Sequence, residues 1–347
     1  MPFVTAGEEN TGISAFIGND VEVFKANSIT IDMFGSAKFR GYDFGADDHV
    51  AVVHTECLSK KVSQFIATAI HKSSYSGKFS YSRNFYAKDA DELNISLPTL
   101  NNKIAFSYME NYIKALEAER IETLEAYLTV TNLRDYHLTK NDEKVLDKFA
   151  KLSDTKSRVE ESGDYAYFKL QDVLKWCSGI KELNPLKLDE LSDESENKYP
   201  FYGQAIINNG IISYHNLRRE VLNNPDGRPT ILIHSNNQNI VYLESPFYLK
   251  DGHGATSVLQ SEKLDKYTAF YLMTAIKKVI EKRFNYNAKA TKIGLKETEI
   301  QLPIQNGQID YTIMSDLIRA VEKLVIKDLV IWADKKIAAI KEIVGGL

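Results

Sequence analysis

The feature that most constrains this chain is that it repeats itself. Pro2-Phe3 followed by Thr11-Gly12-Ile13 matches Pro200-Phe201 followed by Asn209-Gly210-Ile211, at an offset of 198. Leu58-Ser59-Lys60 through Ala67-Thr68-Ala69-Ile70 matches Leu264-Asp265-Lys266 through Met273-Thr274-Ala275-Ile276, at an offset of 206. Lys78-Phe79-Ser80-Tyr81-Ser82 matches Arg283-Phe284-Asn285-Tyr286-Asn287. Ile95-Ser96-Leu97-Pro98 matches Ile300-Gln301-Leu302-Pro303, and Tyr108-Met109 through Leu116-Glu117 matches Ile313-Met314 through Val321-Glu322, both at an offset of 205. Five matched blocks in one order mean two copies of one supersecondary unit, so the chain must fold twice into the same thing.

Each copy has two parts. The first is a run of short β-rich segments broken by Gly, Asn and Pro, in which 28–31 and 230–233 read as strands. The stretches 59–72 and 265–282 read as helices lying on that sheet. The second part begins after the Leu-Pro pair and has a helical period. Met109, Leu116, Leu124 and Leu128 form an apolar stripe in the first copy, and Met314, Leu317, Val321, Leu324 and Ile331 form one in the second. That stripe suits either an ordinary core-facing helix or two helices packed on each other as a coiled coil. Between the copies, 134–167 is rich in charge, Ser, Asp and Glu and reads as a linker with a short helix at 142–152.

Several function classes are excluded at this level. No G-x-x-x-x-G-K-[ST] phosphate loop, H-E-x-x-H pair or G-x-S-x-G elbow occurs, so no catalytic residue and no metal ligand is named. Asn224-Pro225-Asp226-Gly227 lacks the second proline and the aromatic of an amino-methyltransferase motif and reads as a turn. Gly252-His253-Gly254 is too short to argue a cofactor loop. Two cysteines, Cys57 and Cys177, form no cluster, and a reducing cytoplasmic compartment fits. No apolar run suits a membrane span, and residues 1–10 have no signal-peptide pattern. The net charge of −4 counts mildly against a nucleic-acid partner, although such footprints are local.

In the order of its elements the chain resembles the specificity (S) subunits of type I restriction-modification systems, and more closely those of type IIB-like systems. The resemblance is carried by residues 2–7, Ser28-Ile29-Thr30-Ile31, Ile95-Ser96-Leu97-Pro98 and residues 108–113, by their second copies, and by Phe168-Lys169-Leu170-Gln171-Asp172-Val173-Leu174, which looks like a domain-opening strand and turn. It implies an α+β fold with two target recognition domains, each followed by a long helix, the helices packing as an antiparallel coiled coil. The implied division is 1–99 for the first recognition domain, 100–133 for the first spacer helix and 134–167 for the linker. The second recognition domain then takes 168–304 and the second spacer helix 305–347. The second copy has an opening segment before Pro200 and the first has none, so the first domain is expected to be truncated relative to the family.

The resemblance also implies a function. The expected partners are double-stranded DNA and modification methyltransferase subunits, with a restriction subunit as a further candidate. No cofactor is expected on this chain; S-adenosylmethionine belongs to the methyltransferase. Bases are read by side chains able to form bidentate hydrogen bonds, and these are sought in loops at one edge of each domain. In the first domain they are Ser36, Lys38, Arg40 and Tyr42 after the first strand, then Tyr75, Lys78 and Arg83. In the second domain they are His234, Ser235, Asn236, Asn237 and Gln238 after the equivalent strand, then Lys250, His253, Asn285, Asn287, Lys289 and Lys292. The alternative for every one of them is an ordinary solvated loop. Two other functions compete: a coiled-coil adaptor or scaffold without DNA binding, and an enzyme with an unfamiliar site.

Overall fold

A computed structural model describes residues 1–153, 164–194, 197–285 and 287–345. It divides into two units. One comprises Met1–Thr131 with the chain from Ile331 onward, and the other Asn132–Val330.

The first unit opens with strands β1 (Pro2–Val4), β2 (Ile13–Phe16), β3 (Ser28–Asp32), β4 (Ala37–Arg40), β5 (Gly45–Ala46) and β6 (Val50–His54). Helices α1 (Lys60–Ser74) and α2 (Ala87–Asp91), the hairpin β7 (Thr99–Leu100) and β8 (Lys103–Ile104), and the long helix α3 (Phe106–Val130) follow. The strands make two small sheets, ordered β2-β1-β5 and β4-β3-β6. Strand alternation gives the second sheet two different faces. Ile29, Ile31, Ala37 and Val53 meet Val62, Ile66 and Ile70 of α1, while Ser28, Thr30 and Asp32 point to the other side and are also buried. Ser59 caps α1 by accepting the Val62 N–H.

The second unit repeats this and adds to it. It begins with α4 (Lys140–Ser153), β9 (Tyr165–Lys169), α5 (Leu170–Val173), β10 (Lys175–Trp176) and β11 (Glu182–Leu183). Then come β12 (Tyr199–Tyr202), β13 (Ile211–His215), β14 (Thr230–His234), β15 (Ile240–Leu243), β16 (Tyr248–Lys250) and β17 (Thr256–Gln260). It closes with α6 (Lys266–Arg283), α7 (Lys292–Lys296), the hairpin β18 (Glu299–Gln305) and β19 (Gln308–Ile309), and α8 (Tyr311–Gly345). The strand pairings of the first unit recur. β12 is antiparallel to β13 and parallel to β16, as β1 is to β2 and β5. β14 lies between β15 and β17 as β3 lies between β4 and β6. The expected strands at 28–31 and 230–233, and helices at 59–72 and 265–282, are thus β3, β14, α1 and α6.

Three additions distinguish the second unit. β9 pairs with β18, β10 with β17 and β11 with β16. Between them Leu170, Val173 and Leu174 enter the core beside Ile276 and Ile280 of α6.

Sequence reading placed the long helices directly after the Leu-Pro pairs, but a hairpin intervenes in both copies. Its two central residues are Asn101 and Asn102 (φ 50 and 59) in one copy, and Asn306 and Gly307 (φ 52 and 78) in the other. Positive φ at both positions is the two-residue turn that matches strand twist, and Asn-Gly was a readable signal for it.

The helix stripes also need correction. Along α8 the buried side chains are Met314, Ala320, Val330 and Ala333, whereas Val321 and Leu324 are exposed and Leu317 and Ile331 are half-buried. Along α3, Met109, Ile121 and Leu128 are buried, Leu124 is half-buried and Leu116 is exposed. One reason lies within the second unit, where α8 changes neighbours along its length. Met314 enters the core under α6, Glu322 meets Lys266 of α6 at 2.6 Å, and Lys323 meets Asp142 of α4 at 2.9 Å. Helix α4 is therefore docked onto α8 and is more than a linker.

Candidate nucleic-acid interface

In each unit the turn after the central strand is a hub that ties several loops together. In the second unit this is the turn 235–239. Ser235 donates its N–H to Ala255 O (2.8 Å) and accepts from Ala290 N–H (3.0 Å). The amides of Asn237 and Asn239 reach Gln204 O and Ala205 O, and Gln238 bonds back to Ser235 O. Segments of four loops, 203–210, 235–239, 251–255 and 287–290, are gathered at one end of the sheet. In the first unit the turn 33–36 does the same. Ser74 donates to Gly35 O (2.6 Å), Phe85 N–H reaches Met33 O (2.8 Å) and Gly7 N–H reaches Asp32. Gly35 sits at φ +85, and a Cβ there would lie 2.4 Å from Ser74 O, so no larger residue fits.

Four residues proposed from sequence as base readers are buried in the fold: Ser36 and Arg40 (both 2% exposed), His234 (0%) and Ser235 (9%). Ala37–Arg40 is not a loop but strand β4, paired along β3. Its period-2 alternation sends Lys38 and Arg40 to one face. Arg40 donates from Nε to Thr30 Oγ1 (2.9 Å) and from Nη1 to Thr11 O (2.9 Å) and Tyr42 Oη (3.1 Å). Lys38 is engaged by Gly7 O, Ser36 Oγ and Glu8, with Asp32 at 3.6 Å. Hydrogen bonding from Ser36 outweighs the opposing effect of burial and, with a further contribution from Lys38, holds Glu8 below the ordinary carboxylate range. Ser36 and Arg40 are buried within the fold, while the Lys38 side chain keeps 16% of its surface exposed.

His234 ends β14, with Nδ1 3.0 Å from Thr256 Oγ1 and Nε2 buried without a hydrogen-bond partner among the described residues. Burial lowers its pKa from 6.5 to about 4, so the imidazole is neutral near pH 7. Asn236, Asn237 and Gln238 are half-buried, and the last two spend hydrogen bonds on the hub.

The remaining candidates form an accessible rim. In the second unit Lys250, His253, Asn285, Asn287, Lys289 and Lys292 are exposed; Tyr286, between two of them, lies outside the described residues. In the first unit Tyr75, Lys78 and Arg83 are exposed, and Tyr42 is half-buried against Arg40. The Arg83 guanidinium lies 5.4 Å from the Phe79 ring centre, and Tyr81 stands edge-on to Phe34.

Sequence reading missed part of this rim. Lys277, Lys278, Lys282 and Arg283 on the last turns of α6 are exposed and lead into Lys289 and Lys292, with Glu281 the only acid between 277 and 292. Basic residues at a helix C-terminus are stabilised by its dipole, and a run this one-sided suits a phosphate backbone. The charge count of the segment was the available signal. Asp47, Asp48 and His49 bring ligand-type atoms within 4.8 Å on an exposed turn, where no metal ligand had been named. Among the described residues no helix is long and apolar enough to cross a membrane.

A sequence model described as the type I restriction modification DNA specificity domain matches residues 1–126 and 162–330. In fold the chain is similar to the crystal structure of a type-I restriction-modification system S subunit from M. genitalium, at 17% identity, 99% coverage of this chain, 86% of that one and a TM-score of 0.55. Two weaker similarities add nothing to that. One is to a chain from a structural study of complex assembly and conformational transition of the type I R-M system (13% identity; 93% and 80% coverage; TM-score 0.40). The other is to the HsdS subunit from Thermoanaerobacter tengcongensis (13%; 92% and 76%; 0.30). No curated protein matches.

Proposed function

The chain belongs to the type I restriction modification DNA specificity family, and from that premise we propose that it is the non-catalytic recognition subunit of such a system, reading a bipartite, asymmetric DNA site with one unit for each half. The observation that carries this is that the family match falls on both copies of the repeat. The two hubs share a backbone plan and present different side chains: Tyr75, Lys78 and Arg83 on one rim, His253, Asn285, Asn287, Lys289 and Lys292 on the other. Different donors and acceptors on one scaffold read different bases, which makes the site asymmetric.

In this reading the long helices pack as an antiparallel pair, set the length of the unread spacer and dock a separate methyltransferase. The exposed apolar side chains Val321, Leu324 and Val325 of α8 supply surface for that docking. S-adenosylmethionine belongs to the methyltransferase, and the assembly works in the cytoplasm. The test is to co-express the chain with methyltransferase genes from its genomic neighbourhood and map methylation by long-read sequencing. A gapped, asymmetric motif is expected, and none with the chain alone. Methyl transfer by the purified chain, or a continuous motif, overturns the reading.

A further inference from the structure

One loop is built twice with opposite chemistry at its tip. Residues 203–210 of the second unit correspond to 5–12 of the first, at the offset of 198. Both are closed by one backbone hydrogen bond, from Gly203 N–H to Gly210 O and from Thr5 N–H to Gly12 O, each 2.9 Å. Both turn through three successive residues at positive φ: Asn208, Asn209 and Gly210 (49, 50 and 81) and Asn10, Thr11 and Gly12 (47, 54 and 81). The two residues before that turn are Glu8 and Glu9 in one copy and Ile206 and Ile207 in the other. Ile206 is 73% exposed and Ile207 80%. Because the first copy builds the loop on two acids, the fold does not require isoleucine here. An exposed apolar tip that packing does not need marks a contact surface.

The surroundings say what touches it. The amides of Asn237 and Asn239 pin the loop at Gln204 O and Ala205 O, and Ile206 lines a cleft with Gln238 and Lys277. Lys277 also pairs with Glu281 of that cleft at 3.6 Å, an exposed i,i+4 contact weak enough to yield to phosphate. At the base of the loop Ile212 lies on bare backbone: a Cβ at Gly203 would stand 2.2 Å from Ile212 Cδ1 and 3.6 Å from Lys250 Cδ. The apolar tip thus belongs to a loop with the exposed Lys250 and Lys277 beside it. That pattern suits the major groove, where cations meet phosphate and the apolar group on a base edge is the thymine 5-methyl.

Resting on the recognition reading above, we propose that Ile206 and Ile207 are specificity-determining residues of the second unit, which read A·T pairs through the thymine methyl group. A carboxylate gains nothing from a methyl group, and Glu8 is already engaged by Lys38 at 3.2 Å. The loop therefore reads thymine methyls in one half-site and not in the other.

The test uses the complex with the methyltransferase and a duplex carrying its mapped motif. Each thymine of the motif is replaced in turn by deoxyuridine, which lacks only the 5-methyl. In one half-site at least one replacement should weaken binding about fourfold, the worth of one buried methyl group. Ile206→Ala with Ile207→Ala should abolish that preference, with the melting temperature and the bound methyltransferase unchanged. Replacements that are all silent, or a preference that survives in the variant, overturn the proposal and leave the recognition reading standing. An affinity loss equal for thymine and uracil duplexes also overturns it, since a wedge between base pairs would give that result. So does release of the methyltransferase from the variant, which would make the tip a protein contact. Absence of any methylated motif overturns the recognition reading and this inference with it.

Discussion

The two recognition units solve one packing problem in opposite chemistries. Between its two small sheets the second unit has an apolar layer of Tyr202, Leu232, Val241, Leu243, Phe247, Leu249 and Val258. The strand registers place Thr30 where Leu232 stands, Lys38 where Val241 stands and Arg40 where Leu243 stands. The first unit therefore fills the same layer with a hydrogen-bonded network of Asp32, Lys38, Thr30 and Arg40. At the end of the central strand Asp32 of one copy occupies the position that His234 holds in the other. Asp32 accepts N–H groups from Gly7, Phe34 and Ser36, and His234 bonds to Thr256. The backbone plan tolerates either answer, an apolar layer or a hydrogen-bonded one, and leaves His234 Nε2 buried without a hydrogen-bond partner among the described residues. A cation beside an aromatic in such a protein can thus belong to the core and not to the DNA.

The largest expected effect tests that contrast directly. Arg40→Ala removes three hydrogen bonds and leaves a void, and should cost the first unit roughly 2–4 kcal/mol, read as reduced amide protection in β3 and β4. Transplanting the apolar solution, with Thr30→Leu, Lys38→Val and Arg40→Leu together, should cost less than Arg40→Ala alone, because a matched apolar layer replaces the network. If Arg40→Ala leaves protection intact and changes DNA specificity, the structural assignment of Arg40 is wrong.

Acid should separate the units next. The folded-state pKa of His234 is depressed from 6.5 to about 4 by burial. The folded state holds this ring neutral while the unfolded chain protonates it, so the second unit loses nothing above about pH 6.5. It becomes less stable as pH falls toward 4, by about 3 kcal/mol in total. Urea unfolding of the second unit across that window should show the slope, and His234→Gln should flatten it. An unchanged slope in the variant would assign the acid sensitivity elsewhere.

The smallest effects concern the rims. Replacing His253 and Asn287 with Ala should relax one half-site by about 1–3 kcal/mol for each bidentate hydrogen-bond pair to a base that is removed, and replacing Tyr75 and Arg83 should act on the other half. Lys289→Ala and Lys292→Ala should weaken all sites alike and each lower the log–log salt dependence by about 1. Methylation mapping and salt titrations in the methyltransferase complex separate the two outcomes, and a change spread over both half-sites would break the assignment of one reader per unit.

Much of the scaffold was legible in the sequence because repeats and periodicity report backbone plan. The matched blocks fall on equivalent elements, from Pro2 and Pro200 in β1 and β12 to Met109 and Met314 in the long helices. The site was less legible. Lys38-Phe39-Arg40 alternates as a strand does, but charged residues on both sides of an aromatic suggested a loop, and composition does not show that a buried face has gone polar. Asn236–Gln238 were placed in the right turn, yet Asn237 spends its amide on the loop at Gln204 and Gln238 spends its own within the turn. The rim on α6 was overlooked because its lysines also fit an ordinary amphipathic helix.

Each reader is also fastened to its long helix at matching points. Ala105 N–H bonds to Pro98 O and Asp310 N–H to Pro303 O, both at 2.9 Å. Met109 and Met314 are fully buried beneath α1 and α6. Glu117 is paired with Lys61 of α1, and Glu322 with Lys266 of α6. A two-residue turn, a buried plug and an ion pair leave this joint no free hinge. In mechanical terms each helix is a torsion shaft with its reader keyed to it. Rotating the shaft swings the whole reading face as one body, and a substitution that loosens Met109 or Met314 introduces backlash before it touches any DNA-facing residue.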